Sequence, residues 1–177
     1  LIPYHGPKEY SNSLILIVLR RGLENNKGLY LLLEAFKVAR KENPTIRLAV
    51  VGTTSEEIEG VTYYEGYPRE KTIQLFQQAS LYAMPALFEP NGMVYIEALA
   101  CKTPILGLNR LAFPEFCGYG KYGFIAEENH RSISNLILKA FSDIDTLKKM
   151  GIEGQKFVME RYLWVNVVDK MLREINR

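Results

Sequence analysis

Leu14-Ile15-Leu16-Ile17-Val18-Leu19, followed at once by Arg20-Arg21-Gly22, is the stretch from which the fold can be read. Six apolar residues in a row make a segment of strand length. They lack the alternation of a strand with one wet face, so both faces are to be buried. Downstream, Leu29, Leu32, Leu33, Phe36 and Ala39 fall on one face of a helix that Asn43-Pro44 ends. Buried strand, basic loop and amphipathic helix together make the first unit of a parallel sheet.

The same alternation runs through the chain. Arg47-Leu48-Ala49-Val50-Val51 reads as a second strand stopped by Gly52, and Val61-Thr62-Tyr63-Tyr64 as a third stopped by Gly66. A helix is expected from Arg69 to Ala79, behind Pro68. Leu81-Tyr82-Ala83-Met84 is a fourth strand, Met93 to Cys101 a helix, Pro104-Ile105-Leu106 a short fifth strand and Tyr122 to Ala126 a sixth. Two or three helices follow, the last carrying Val165, Val168, Leu172 and Ile175 on one face. The expected fold class is α/β: a doubly wound, Rossmann-like parallel sheet of about six strands with helices on both faces. In such sheets ligands bind beyond the carboxyl ends of the strands, so the residues just after each strand are the candidates.

Composition narrows the possibilities. With 47% hydrophobic and 24% charged residues, the chain is built for a folded core, and 177 residues suit one domain. Twenty-two basic against 20 acidic residues, with no basic block, give no reason to expect nucleic acid as a partner. Cys101 and Cys117 have neither metal-ligand spacing nor disulfide-framework density, and read as reduced thiols of a cytosolic protein. His5 and His130 lie too far apart in sequence to suggest a His-based metal site. No apolar run approaches the roughly 20 residues that span a bilayer. The chain begins with Leu1 rather than Met and reads as a piece of a longer protein.

After the first strand, Arg20, Arg21 and Lys27 crowd the start of a helix, where the dipole and free N–H groups favour anions. Cations belong there if an anion is to lie between them, and arginine suits phosphate through its two-pronged fork. A solvated basic loop is the alternative. More telling is Phe88 to Cys101. Beyond Gly92 this is a helix apolar almost all round, hence buried, with Glu97 as its one charge. A buried carboxylate must find a cation or hydrogen-bond donors. Glu89 lies in the loop before, with Pro90 and Gly92. Eight residues at helical rise span about 12 Å, so the two carboxylates can meet opposite ends of a ligand of that length. The alternative has Glu89 complementing the helix dipole and Glu97 paired with a core arginine.

Glu89-x7-Glu97, set in Glu-Pro-Asn-Gly-Met-(x3)-Glu-Ala-Leu-Ala-(x2)-Thr-Pro, resembles the signature of the group 1 (family four) retaining glycosyltransferases of the GT-B fold. Nearly the whole chain takes part. Val18-Leu19-Arg20 through Lys27-Gly28, Leu48 to Gly52, Val61 to Gly66, Pro114-Glu115 and Tyr162-Leu163-Trp164 each resemble a family motif, in the family's order. The resemblance implies one donor-binding domain over residues 1–177, with 1–12 a remnant of an interdomain linker and 163–177 a terminal helix. An absent N-terminal domain would carry the acceptor site. It implies that Arg20 and Lys27 hold the diphosphate of a UDP-, GDP- or ADP-sugar, and that Glu97 accepts from the ribose hydroxyls. Glu89, the implied catalytic residue, would contact the donor sugar hydroxyls near the reacting carbon, while backbone N–H groups of Asn91, Gly92 and Met93 face sugar and phosphates. No metal or other cofactor is implied, and the two glutamates are not the acid and nucleophile of a glycosidase. The acceptor is a hydroxyl, with glycans and lipid-linked sugars as the family's range. A cytoplasmic place is implied, peripheral to the membrane through the absent domain.

Three positions depart from the family pattern. Leu19 replaces a glycine and stands where it would crowd a phosphate; the Arg20–Lys27 spacing is long, so that Arg21 can take the place of Arg20; Leu111-Ala112 replaces a Gly-Gly. Lys102 also replaces a glycine, at a helix end that accepts a cation. These departures keep open a regulatory or scaffolding domain without catalysis; a sugar-nucleotide epimerase, which shares the fold, is a further reading.

Overall fold

A computed structural model describes residues 3–175, the side chain of Lys170 excepted. The strands are β1 (Leu14–Val18), β2 (Arg47–Val51), β3 (Val61–Tyr64), β4 (Leu81–Ala83), β5 (Ile105–Leu108) and β6 (Gly123–Ala126). The helices are α1 (Leu29–Glu42), α2 (Arg69–Gln78), α3 (Met93–Ala100), α4 (Phe113–Phe116), α5 (His130–Ser142), α6 (Ile144–Tyr162) and α7 (Trp164–Ile175). All six strands are parallel, in the order β3-β2-β1-β4-β5-β6. This is the doubly wound, Rossmann-like sheet expected from the sequence.

Leu16 pairs with Ala49 on one side and Tyr82 on the other, and Ile15, Leu16 and Ile17 have no exposed surface. The unbroken apolar run of β1 is therefore the centre of the sheet. From β1 the chain winds one way to β2 and β3, and from β4 the other way to β5 and β6. Right-handed crossovers in opposite directions place α1 and α3 on opposite faces. α1 packs there against α5, and α3 against α6. The reversal leaves a crevice between the carboxyl ends of β1 and β4.

Several element ends differ from the sequence reading. β5 runs on to Leu108, as Gly107 and Leu108 continue the pairing with Ile125 and Ala126 of β6 and Gly107 lies against the Phe113 ring. α4 was not expected, since four residues are too few to show a period. Residues 3–12 of the expected linker form no helix or strand and are laid against the rest of the chain. Lys8 Nζ donates to the carbonyls of Phe76 and Gln77 and to Thr103 Oγ1, and buried Tyr10 donates its hydroxyl to Lys102 O. Residues 1, 2, 176 and 177 of the expected linker and terminal helix lie outside the described residues.

Candidate functional site: the crevice between β1 and β4

The loop from Leu19 to Gly28 is folded on itself. Leu23 N–H donates to Arg20 O, Lys27 N–H to Leu23 O and Gly28 N–H to Asn25 O. This internal winding accounts for the long Arg20–Lys27 spacing. The loop is tied on both sides: Thr53 Oγ1 donates to Glu24 at 2.7 Å, and Asn26 O accepts from Leu87 and Phe88 N–H. Gly28 has φ 73° and lies so close to the β4 loop that a Cβ would fall 2.0 Å from Pro85 O. Leu19, expected to crowd a phosphate, turns into the core instead and is buried.

Loop closure brings Lys27 to Glu89. Lys27 Nζ lies 2.5 Å from Glu89 Oε2, and the side chains are only 17% and 12% exposed. The other carboxylate oxygen accepts from Asn91 N–H at 3.1 Å and Gly92 N–H at 3.0 Å. Burial pushes the Glu89 carboxyl up, but the Lys27 hydrogen bond and the two N–H groups outweigh it and hold it below its ordinary value. The anion that Lys27 was expected to meet at a helix start is supplied from within the chain. Glu89 also sits where a helix-dipole partner belongs, just ahead of α3.

Glu97 departs from expectation. Its side chain is 40% exposed, and its partner is Arg69 of α2, 3.6 Å away and 74% exposed. Met93, one turn earlier on the same stripe, is also largely exposed. α3 is thus not buried all round: Tyr95, Ile96, Ala98, Leu99 and Ala100 face inward, while Met93 and Glu97 face out. Nor is the Glu89–Glu97 interval a helical rise, because α3 begins only at Met93.

Arg20 is exposed, and its side chain has no hydrogen bond or ion pair among the described residues. Arg21 reaches Glu65 beyond β3 at 2.7 Å. Asn91 is exposed and Gly92 buried, with φ 61° at the start of α3; a Cβ there would meet the Phe116 ring at 2.2 Å. Leu111 adopts φ 51° and Lys102 φ 57°, a left-handed backbone that favours glycine at both positions. Tyr95 was not singled out from the sequence. Its hydroxyl donates to Met84 O at 2.8 Å, and its ring packs 4.9 Å from Phe113 and 6.2 Å from Phe116. One side chain thereby fixes the β4 loop, α3 and α4 together. A polar ring on an otherwise apolar stretch was the available signal.

Both cysteines are free and buried, and burial pushes Cys101 up to about 11 and Cys117 up to about 12. Among the described residues, no group of three or more His, Cys, Asp or Glu is placed to hold a metal ion. No helix among them is long and apolar enough to cross a membrane.

Sheet order, crossovers and a charged crevice at the switch point make this a doubly wound domain with the architecture of a GT-B C-terminal half. Residues 6–157 match the family described as "Glycosyl transferases group 1", and the chain belongs to that family. It is 25% identical over 192 residues to a probable sucrose-phosphate synthase of Thermosipho melanesiensis, covering 96% of this chain and 43% of the relative. It is 30% identical over 101 residues to a phosphatidyl-myo-inositol mannosyltransferase of Propionibacterium freudenreichii, covering 56% and 26%. Among solved structures, a variant of S. aureus TarM in complex with fondaparinux, alpha-GlcNAc-glycerol and UDP superposes with TM-score 0.83 and 17% identity, over 100% of this chain and 38% of that one. Anabaena HepE, in complex with UDP and glucose, gives 0.77 at 18% identity over 94% and 48%. The chain thus spans less than half the length of these relatives.

Proposed function

We propose that residues 1–177 form the donor-binding domain of a retaining glycosyltransferase, which passes a sugar from a nucleoside diphosphate to an acceptor hydroxyl. The carrying observation is the pairing of Lys27 and Glu89 in the β1–β4 crevice, with exposed Arg20 earlier in the same loop as Lys27. In this reading Arg20 and Lys27 neutralise the departing diphosphate, so the reaction needs no metal. Glu89 accepts from hydroxyls of the donor sugar through the oxygen that Lys27 now holds, while Asn91 and Gly92 N–H steady its other oxygen and Met93 N–H lines the approach. Glu97 turns from Arg69 to the ribose, its exposure leaving it open to a ligand. An N-terminal domain, joined through residues 1–12, supplies the acceptor, a glycan or a lipid-linked sugar at the cytoplasmic membrane face. The solved structures of this fold bound to UDP support a nucleotide at such a domain, as does family membership.

A thermal-shift panel of UDP-, GDP- and ADP-sugars tests donor binding. A ligand at about 100 times its Kd adds about 2.7 kcal/mol of stability, a shift of several degrees. At least one donor is expected to give it, and no response at millimolar ligand would defeat the reading. Release of nucleoside diphosphate that depends on an acceptor, assayed with the N-terminal domain present, separates transfer from epimerisation. The isolated chain is expected to show no transfer.

A further inference from the structure

We propose that the Lys27–Glu89 pair is a lock that disfavours bare diphosphates and opens to a ligand carrying both a diphosphate and sugar hydroxyls. This deepens, and rests on, the donor-site reading above.

Among the described residues this is the one ion pair with both side chains mostly buried. The carboxylate and the lysine's backbone are both anchored. Glu89 is held through its second oxygen by Asn91 and Gly92 N–H, and Lys27 lies in a loop gripped through Asn26 O by Leu87 and Phe88. An anion arriving at Lys27 must share the ammonium with Glu89, and like charges then face each other in a poorly solvated crevice. If the ammonium moves to the anion, Glu89 is left mostly buried with two neutral donors and no cation. Pyrophosphate has no hydroxyl to offer against that penalty, and the ribose hydroxyls of a nucleoside diphosphate go to Glu97 in this reading. A sugar carried on the same diphosphate brings hydroxyl donors to the vacated oxygen, which restores its hydrogen bonding. The exposed pairs nearby, Arg21–Glu65 and Arg69–Glu97, remain in water when parted and impose no such condition. The consequence for the enzyme is discrimination between the intact donor and its spent nucleoside diphosphate, so that product leaves readily.

The test is calorimetric titration of the chain, and of Glu89→Gln, with inorganic pyrophosphate, with UDP, GDP and ADP, and with their glucose conjugates. Glutamine keeps an acceptor for Asn91 and Gly92 but carries no charge. Pyrophosphate and the nucleoside diphosphate are expected to bind Glu89→Gln about tenfold more tightly than the parent, a coupling of ordinary size. The preference for sugar conjugate over free diphosphate is expected to shrink by a similar factor. Glu89→Asp, which draws the carboxylate back from Lys27, is expected to tighten pyrophosphate in the same direction and serves if the glutamine variant fails to fold. Pyrophosphate binding that is unchanged, weakened or absent in the folded variants overturns the lock, even where sugar nucleotides bind the parent and the donor reading stands. A parent that binds no sugar nucleotide removes the donor reading and, with it, the lock, whatever pyrophosphate does.

Discussion

The β4 loop and the outer stripe of α3 each carry a glutamate with a basic partner, and the two behave as different kinds of object. Glu89 is 12% exposed and 2.5 Å from a lysine that is itself 17% exposed, whereas Glu97 is 40% exposed and 3.6 Å from an arginine in water. The difference does not come from the chemistry of the helix. It comes from what covers each residue: the β1 and β4 loops close over Glu89, whereas Glu97 stays partly open, with exposed Arg69 as its ion-pair partner among the described residues. Burial by neighbouring loops, rather than an apolar local sequence, decides which carboxylate is costly to disturb.

The largest effect should come from opening that clamp. Gly28→Ala puts a Cβ 2.0 Å from Pro85 O at φ 73°, with backbone rather than a yielding side chain in the way. Left-handed strain of about 1–2 kcal/mol, plus a displaced loop contact, should cost about 3 kcal/mol in urea unfolding. Gly66, beyond β3 on the side of Arg69, has φ 60° and open space around it. Gly66→Ala should carry the strain alone, about 1 kcal/mol. Equal losses at the two glycines would mean that the clamp is not rigid.

Next in size is the Lys27–Glu89 coupling itself. A double-mutant cycle with Lys27→Met and Glu89→Gln should return a coupling of about 2 kcal/mol at neutral pH. Its pH dependence has a definite sign. Glu89 is depressed in the folded state, so its contribution is present above the unfolded carboxylate value of about 4.3 and is lost as pH falls through the lower folded value. Unfolding free energies taken from pH 7 downward should fall more steeply for the parent than for Glu89→Gln below about pH 4.3. Parallel curves would show that the carboxylate is not held by Lys27.

Much of this was legible in the sequence and some was not, for physical reasons. The apolar run of β1 and the alternation after it gave the strand order its parts, because a fully buried strand needs no partner to be recognised. Glu89, Lys27 and Arg20 were placed after strands and so at the carboxyl edge, but their pairing was not. Lys27 and Glu89 are 62 residues apart, and only the closure of two loops joins them. The exposure of Glu97 escaped because Val94, Ile96, Ala98 and Leu99 surround it in sequence, and only the packing of α3 on α6 shows which stripe stays outside. Leu111 and Lys102 were noted as missing glycines. That the backbone adopts φ 51° and φ 57° there could not be seen, since a side chain does not announce a conformation it tolerates poorly.

The smallest effect belongs to Arg69 and Glu97. Removing either partner leaves the other in solvent, where an ion pair contributes about 0–1 kcal/mol and rotamer entropy opposes it. A double-mutant cycle with Arg69→Ala and Glu97→Gln should therefore couple by less than about 0.5 kcal/mol, and 1 M salt should erase what remains. The same salt should hardly alter the Lys27–Glu89 coupling, because screening acts weakly on mostly buried charges. The contrast extends to ligands. With a weak partner, Glu97 can turn to ribose hydroxyls at little cost, so Arg69→Ala should change sugar-nucleotide affinity by less than about threefold, while Glu97→Gln should weaken it well beyond that. If Arg69→Ala weakens binding as much as Glu97→Gln does, Arg69 belongs to the ligand site rather than to a pair that lets go.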